Sequence, residues 1–163
     1  MKTYLINLLF IFILLSASCV LIKEQAVGEQ PKLAPDFKLQ DLNRNTFTLN
    51  SYKDKQPVVL FFWTTWCPYC RAELKVLNDM YPQLVKEGWE LFAIDVAEPE
   101  YRVENFLKNY ALSFKILLDR DASVTESFEL FGVPTYVLVD KAGYIVFKDN
   151  YFPRQEYKKL ISG

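Results

Sequence analysis

Residues 57–74 read Pro57-Val58-Val59-Leu60-Phe61-Phe62-Trp63-Thr64-Thr65-Trp66-Cys67-Pro68-Tyr69-Cys70-Arg71-Ala72-Glu73-Leu74. From Pro57 to Trp63 no side chain is polar, and an apolar run without alternation is the pattern of a strand covered on both faces. From Arg71 to Glu87 the apolar positions change to helical spacing, with Leu74, Leu77, Tyr81, Leu84 and Val85 on one side and Gly88 closing the segment. Cys67 and Cys70 sit at the change from strand to helix, the context in which C-x-x-C spacing becomes informative.

That placement dictates a chemistry. At the start of a helix the Cys67 sulfur faces unpaired backbone N–H groups and the positive end of the dipole. A thiolate is favoured there, so the thiol pKa falls and the sulfur becomes a nucleophile. Cys70 lies one turn deeper on the same face, within reach of a disulfide. Cys67 is thus expected to attack a partner's disulfide and Cys70 to resolve the mixed intermediate. Pro68, in the first turn, forfeits no needed donor and presets the helix. Trp66 is expected to shield the nucleophile and to offer partners a flat contact, while Trp63 reads as core.

Outward from this segment, strands and helices alternate. Phe37, Leu39 and Leu42 precede the polar turn Asn43-Arg44-Asn45, with Phe47 and Leu49 after it, which predicts a hairpin. Residues 91–96 predict a second buried strand, 100–110 a helix and 114–118 a short strand. Residues 121–131 predict a helix opened by a capping box from Ser123 to Glu126. Two further strands, 136–139 and 145–147, flank the turn Asp140-Lys141-Ala142-Gly143, and a last amphipathic helix is expected over about 154–161. The order implies an α/β fold, a mixed central sheet with helices on both faces.

Composition narrows the functional classes. The 163 residues are 51% hydrophobic and 24% charged, enough for one well-packed domain. A formal net charge of −1 lacks the basic surplus of a nucleic-acid binder. There is no histidine, which excludes Ser-His-Asp and Cys-His nucleophile pairs and His-ligated zinc or haem. Of three cysteines, Cys19 lies in an apolar N-terminal run. The pair that remains cannot complete a four-ligand zinc site, so it reads as redox-active rather than metal-binding, and neither metal nor cofactor is expected.

Leu5 to Ile22 forms a stretch without a charged residue, and only Lys2 is charged before it. At about 1.5 Å per residue it spans roughly 27 Å, near the minimum for a bilayer. Three readings fit: an uncleaved anchor, a signal peptide cut after Ser16-Ala17-Ser18, or a lipoprotein signal with Cys19 lipidated. Each exports the body, to a compartment where disulfides are permitted. Residues 1–22 are therefore read as signal or anchor, 23–35 as a tether, and 36–163 as the folded domain.

Taken together, Ala34-Pro35-Asp36-Phe37-Lys38-Leu39, Phe62-Trp63-Thr64-Thr65-Trp66-Cys67 with Cys70, Arg71-Ala72-Glu73-Leu74, and Gly132-Val133-Pro134-Thr135 followed by Val137-Leu138-Val139-Asp140 resemble the TlpA/ResA group of membrane-tethered thiol-disulfide oxidoreductases. The resemblance implies a thioredoxin-like fold with an N-terminal β-hairpin and a central αβ insertion. It implies that Pro134 is a cis-proline beside the reactive cysteine, with Val133 and Thr135 offering backbone groups to an extended peptide. It implies a glutamate beside the thiols at Glu73, coupled to their titration and moving their proton. Ordinary thioredoxin has a buried Asp where this chain has Phe61, which leaves Glu73 as the only acid expected near the thiols. The implied substrates are exported proteins such as oxidised apocytochrome c, and the implied electron donor is a membrane protein of the CcdA/DsbD kind.

Two departures bear on mechanism. The family usually reads Cys-x-Pro-Cys, whereas this chain has Cys67-Pro68-Tyr69-Cys70, as in glutaredoxins, although the glutaredoxin Gly-Gly after the cis-proline is absent. The intervening pair tunes the potential across a family range of about −270 to −120 mV, so an oxidase or isomerase direction is the alternative. Lys75 stands where the family usually has a helix-kinking proline, which predicts a straighter helix. A peroxiredoxin-like peroxidase would need Pro-x-x-x-Thr-x-x-Cys. Thr64 fits that pattern, but Leu60 stands where the proline should be. A noncatalytic module is disfavoured, because a disulfide closing so short a loop adds little stability by the loop-entropy argument.

Overall fold

A computed structural model describes residues 32–161. The segment read as signal or anchor, and the tether up to residue 31, lie outside the described residues. Among the described residues no helix is long and apolar enough to cross a membrane.

The strands are β1 (Lys38–Asp41), β2 (Thr46–Thr48), β3 (Val58–Trp63), β4 (Glu90–Val96), β5 (Lys115–Asp119), β6 (Thr135–Val139) and β7 (Ile145–Asp149). The helices are α1 (Pro68–Lys86), α2 (Glu100–Leu107) and α3 (Ser123–Ser127). One seven-stranded sheet has the order β2-β1-β5-β4-β3-β6-β7. β3, β4 and β5 run parallel, and the remaining pairs are antiparallel, so the sheet is mixed. Parallel neighbours need crossovers, and α1 and α2 lie in the connections.

The two faces of the sheet are separate cores, set by the period of two along each strand. Val59, Phe61 and Trp63 of β3 pack with Leu91 and Ala93 of β4, with Cys70, Leu74, Leu77 and Leu84 of α1, and with Val103 of α2. Val58, Leu60 and Phe62 pack on the other face with Phe92, Ile94, Val124 and Phe128. The uninterrupted apolar run of β3 is thus buried along its whole length, as its sequence predicts.

Both predicted hairpins form. In the first, the Asp41 carboxylate accepts from the backbone N–H groups of Asn43 and Asn45 at 2.9 and 2.8 Å, while Arg44 takes φ 66°. In the second, Gly143 takes φ 93° and the Asp140 carboxylate accepts from the Tyr144 N–H at 2.7 Å. Residues 32–34 lie along this second turn: Ala34 N–H donates to the Gly143 carbonyl and Ile145 N–H to that of Lys32.

Three local expectations are corrected. α3 is a five-residue helix rather than one over 121–131, and the Ser123–Glu126 capping box does not form. The fully buried carboxylate of Asp119, at the end of β5, takes that role by accepting from Val124 N–H, Thr125 N–H and the Thr125 hydroxyl at 3.2, 2.8 and 2.7 Å. A buried carboxylate requires such donors, and the start of α3 supplies them. The helix ends early because Glu129 turns left-handed (φ 54°), with Leu130 N–H bonded to the Thr125 carbonyl and Glu129 N–H to that of Glu126, a Schellman closure.

The expected terminal helix is a turn over residues 154–158 followed by a short 3-10 segment, Lys159–Ile161. Phe152 and Tyr157 drop into the core against Trp89 and Tyr136, so tertiary burial decides this segment. α1 contains Pro82 in its interior. Pro82 has no N–H, so one bond of the helical ladder is absent at that point.

Candidate functional site

β3 delivers Trp63 to the sheet's end, the loop Thr64–Trp66 turns the chain, and Cys67 is the N-cap of α1 with extended backbone. Its sulfur accepts from the Cys70 N–H at 3.1 Å, so the sulfur is held by a backbone group of the first helical turn. Cys67 and Cys70 are joined as a disulfide, their Cα atoms 5.2 Å apart. Cys67 is 4% exposed and Cys70 0%, so an incoming thiolate can reach the disulfide only at Cys67. The neighbouring aromatics are open: Trp66 is 62% and Tyr69 78% exposed.

The peptide bond Val133–Pro134 is cis. Val133 packs against the core cluster that contains both cysteines. A groove of about 490 Å³ is lined on one side by Tyr69, Ala72 and Glu73 of α1 and on the other by Val133 and Pro134. A second cleft, of about 400 Å³, is lined by the same two residues together with the fully exposed Phe131. Thr135 opens β6 opposite Phe62, and its hydroxyl donates to the Gly132 carbonyl at 2.7 Å. Cys67, Cys70, Trp66, Val133 and Pro134, far apart in sequence, thus gather at one end of the sheet.

Glu73 lines this groove and bonds to groups other than the sulfurs. Its carboxylate accepts from the Tyr136 hydroxyl at 2.6 Å and from the Arg154 guanidinium at 3.4 Å. Tyr136 stacks on Phe61 and is fully buried. That burial, reinforced by the Glu73 carboxylate, pushes its phenol far above the ordinary value. The hydroxyl therefore stays a donor.

Glu73 is not the only acid at the site, which corrects the expectation. Glu98, in the turn after β4, accepts from the Thr65 backbone N–H and, at 2.8 Å, from the Thr65 hydroxyl. Asp95, on β4, pairs in register with Trp63 and is 1% exposed. Burial first, then contact with Glu98, pushes its carboxyl up to about 9. One signal in the sequence points to this: a carboxylate inside the apolar run Leu91-Phe92-Ala93-Ile94-Asp95-Val96, a residue type almost never fully buried without a partner. Among the described residues, no group of three or more Cys, Asp or Glu side chains is arranged to hold a metal ion.

Comparison with known proteins agrees with this geometry. Residues 31–148 match the AhpC/TSA family model. The thiol-disulfide oxidoreductase ResA of Geobacillus kaustophilus is 37% identical over 130 residues, 80% of this chain and 67% of that protein. Among solved structures, the thioredoxin domain of a thiol-disulfide oxidoreductase from Bacteroides vulgatus superposes with a TM-score of 0.69 at 26% identity, covering 80% of this chain and 94% of that one. A protein from Chlorobium tepidum described as thiol:disulfide interchange protein DsbE gives a TM-score of 0.70 at 22% identity, covering 79% and 91%, and supports the fold. The expected thioredoxin-like architecture and its exchange chemistry are therefore shown, and the chain belongs to the AhpC/TSA family as a ResA-like thiol-disulfide oxidoreductase.

Proposed function

We propose that this protein acts outside the cytoplasm, exported through residues 1–22, where it reduces disulfides in exported proteins such as oxidised apocytochrome c. The observation that carries this reading is the groove in which the first turns of α1 meet Val133 and the cis Pro134, beside a disulfide approachable only at Cys67. An extended substrate strand lies against Val133 and Thr135, with Trp66 and Tyr69 as flat contacts on the opposite side.

In the reduced protein the Cys67 thiolate attacks one sulfur of the substrate disulfide, forming a mixed disulfide and releasing the other sulfur as a thiolate. Cys70, deprotonated as Glu73 takes up its proton, then attacks Cys67. The substrate leaves as a dithiol, and the Cys67–Cys70 disulfide closes, so two electrons have passed to the substrate. A membrane dithiol donor of the CcdA/DsbD kind returns them by the same exchange in reverse.

The test is the reduction potential of the Cys67–Cys70 pair, measured by equilibration against defined thiol buffers. A value near or below about −250 mV supports a reductase, whereas one above roughly −180 mV makes the protein a disulfide donor or isomerase. Absence of any two-electron transition removes the exchange reading altogether.

A further inference from the structure

The loop that presents Cys67 is held from behind by groups that the exchange chemistry above does not use. Among the described residues, the buried side-chain polar atoms without a hydrogen-bond partner are Trp63 Nε1, Thr64 Oγ1 and Asp95 Oδ2. All three gather at one end of the sheet: Trp63 and Asp95 are register partners, and Thr64 follows Trp63. Beside them Glu98, 4% exposed, receives both Thr65 donors. Native proteins leave few buried polar atoms unpaired, and such a concentration next to a reactive cysteine calls for an explanation.

Two ionised carboxylates only accept hydrogen bonds, so a buried contact between them needs a proton. Asp95 and Glu98 are in such contact, and burial and Glu98 together hold Asp95 in its acid form at neutral pH. The charged groups acting on Asp95 are Glu98 and, more weakly, Arg102 of α2, whose guanidinium lies 3.6 Å from Glu98 and is half exposed. From α1 and its N-cap, the titratable groups on this face of the sheet are Cys67, Cys70 and Tyr81, with Glu73 bonded to Tyr136. Arg102 balances one negative charge, not two.

We propose that Asp95 and Glu98 are positioning residues for the exchange reaction: they share one proton, and in that state Glu98 holds the loop Thr64–Trp66 so that Cys67 caps α1. Glu98 keeps its grip on Thr65, while the Asp95 acid donates to it. Loss of the shared proton places a second negative charge behind the loop. That charge opposes a thiolate at Cys67, two residues beyond Thr65, and by linkage the thiolate raises the affinity of the pair for its proton.

The inference deepens the exchange reading and rests on it, but its first test does not depend on Cys67 reactivity. Infrared spectra of the full-length oxidised chain at neutral pH are expected to show the C=O stretch of a protonated carboxylic acid, lost on raising the pH through the Asp95 titration. Absence of that band at neutral pH overturns the proposal, whether or not the disulfide can be reduced. In the reduced chain, the rate of Cys67 alkylation by iodoacetamide is expected to rise with pH over a broader range than a single titrating thiol allows. Asp95→Asn, which can donate to Glu98 but cannot ionise, is expected to sharpen it to a one-proton curve. An Asp95→Asn profile superimposable on that of the unsubstituted chain overturns the proposal. If that variant does not fold, the infrared band of the unsubstituted chain decides.

Discussion

Thr65 gives both its backbone N–H and its hydroxyl to one carboxylate, that of Glu98, thirty-three residues further along the chain. The bond ties the loop before Cys67 to the turn after β4. Presentation of the nucleophile is therefore a property of two strands and their register, not of the C-x-x-C segment alone.

Thr65→Val removes one of those donors while keeping the side chain's shape. A hydrogen bond to a charged group contributes about 1.5–3 kcal/mol. Urea unfolding is expected to show a loss in that range, with unchanged m, and a slower exchange rate because the loop is less well held.

Asp95 gives stability a pH dependence of known sign. Its folded-state pKa, about 9, is raised from an unfolded value near 3.8. Its contribution is fully present below the lower value and is lost as pH rises through the upper one. Across that window the loss approaches about 1.4 kcal/mol per pH unit for a single proton. Asp95→Asn abolishes this slope, so the stability difference between variant and unsubstituted chain, read from denaturant midpoints, is expected to move in the variant's favour between mildly acidic and alkaline pH.

Glu87 works in the opposite sense. The Lys158 ammonium, the Tyr157 hydroxyl and the Gln83 amide hold its carboxyl down, at about 2. That contribution is present above the ordinary glutamate value and is lost as pH falls through about 2. Since Tyr157 anchors the C-terminal turn to the end of α1 at 2.6 Å, acid is expected to loosen that turn early. Hydrogen exchange of residues 154–161 in acid checks this, and Glu87→Gln is expected to show the same loosening already at neutral pH.

Tyr136→Phe keeps the stack on Phe61 but removes the 2.6 Å bond to Glu73. Glu73 is then held by Arg154 alone. The expected result is a stability loss of about 1–3 kcal/mol and a displaced pH profile for resolution by Cys70. An unchanged profile would assign Glu73 a structural role only.

Cys70→Ala leaves Cys67 without a resolving thiol. Reaction with a disulfide substrate is expected to stop at a stable mixed disulfide on Cys67, visible by mass spectrometry. Cys67→Ala is expected to give no adduct at all, since Cys70 is fully buried.

Some of this is written in short stretches of sequence. The continuous apolar run of β3 requires cover on both faces, and alternate residues of that strand supply two cores. The strand-to-helix change places Cys67 at an N-cap, and Pro68 starts the helix there. Both hairpins announce themselves through turn residues, because Asp41 and Asp140 satisfy nearby backbone donors locally. These features need only neighbours a few residues away, where spacing is a sufficient guide.

The remainder depended on partners that no local pattern names. The start of α3 was settled by Asp119, buried at the end of β5, and the C-terminal turn by the burial of Phe152 and Tyr157. Glu73 found Tyr136 and Arg154 from the far end of the chain, and Asp95 met Trp63 only because β3 and β4 pair in one register. Sequence determined the strands, the first two helices and the reactive pair, because propensity, turn chemistry and the helix N-terminus act over a few residues. Tertiary structure decided which acids stand behind that pair, because a carboxylate's protonation depends on what surrounds it once water has been excluded.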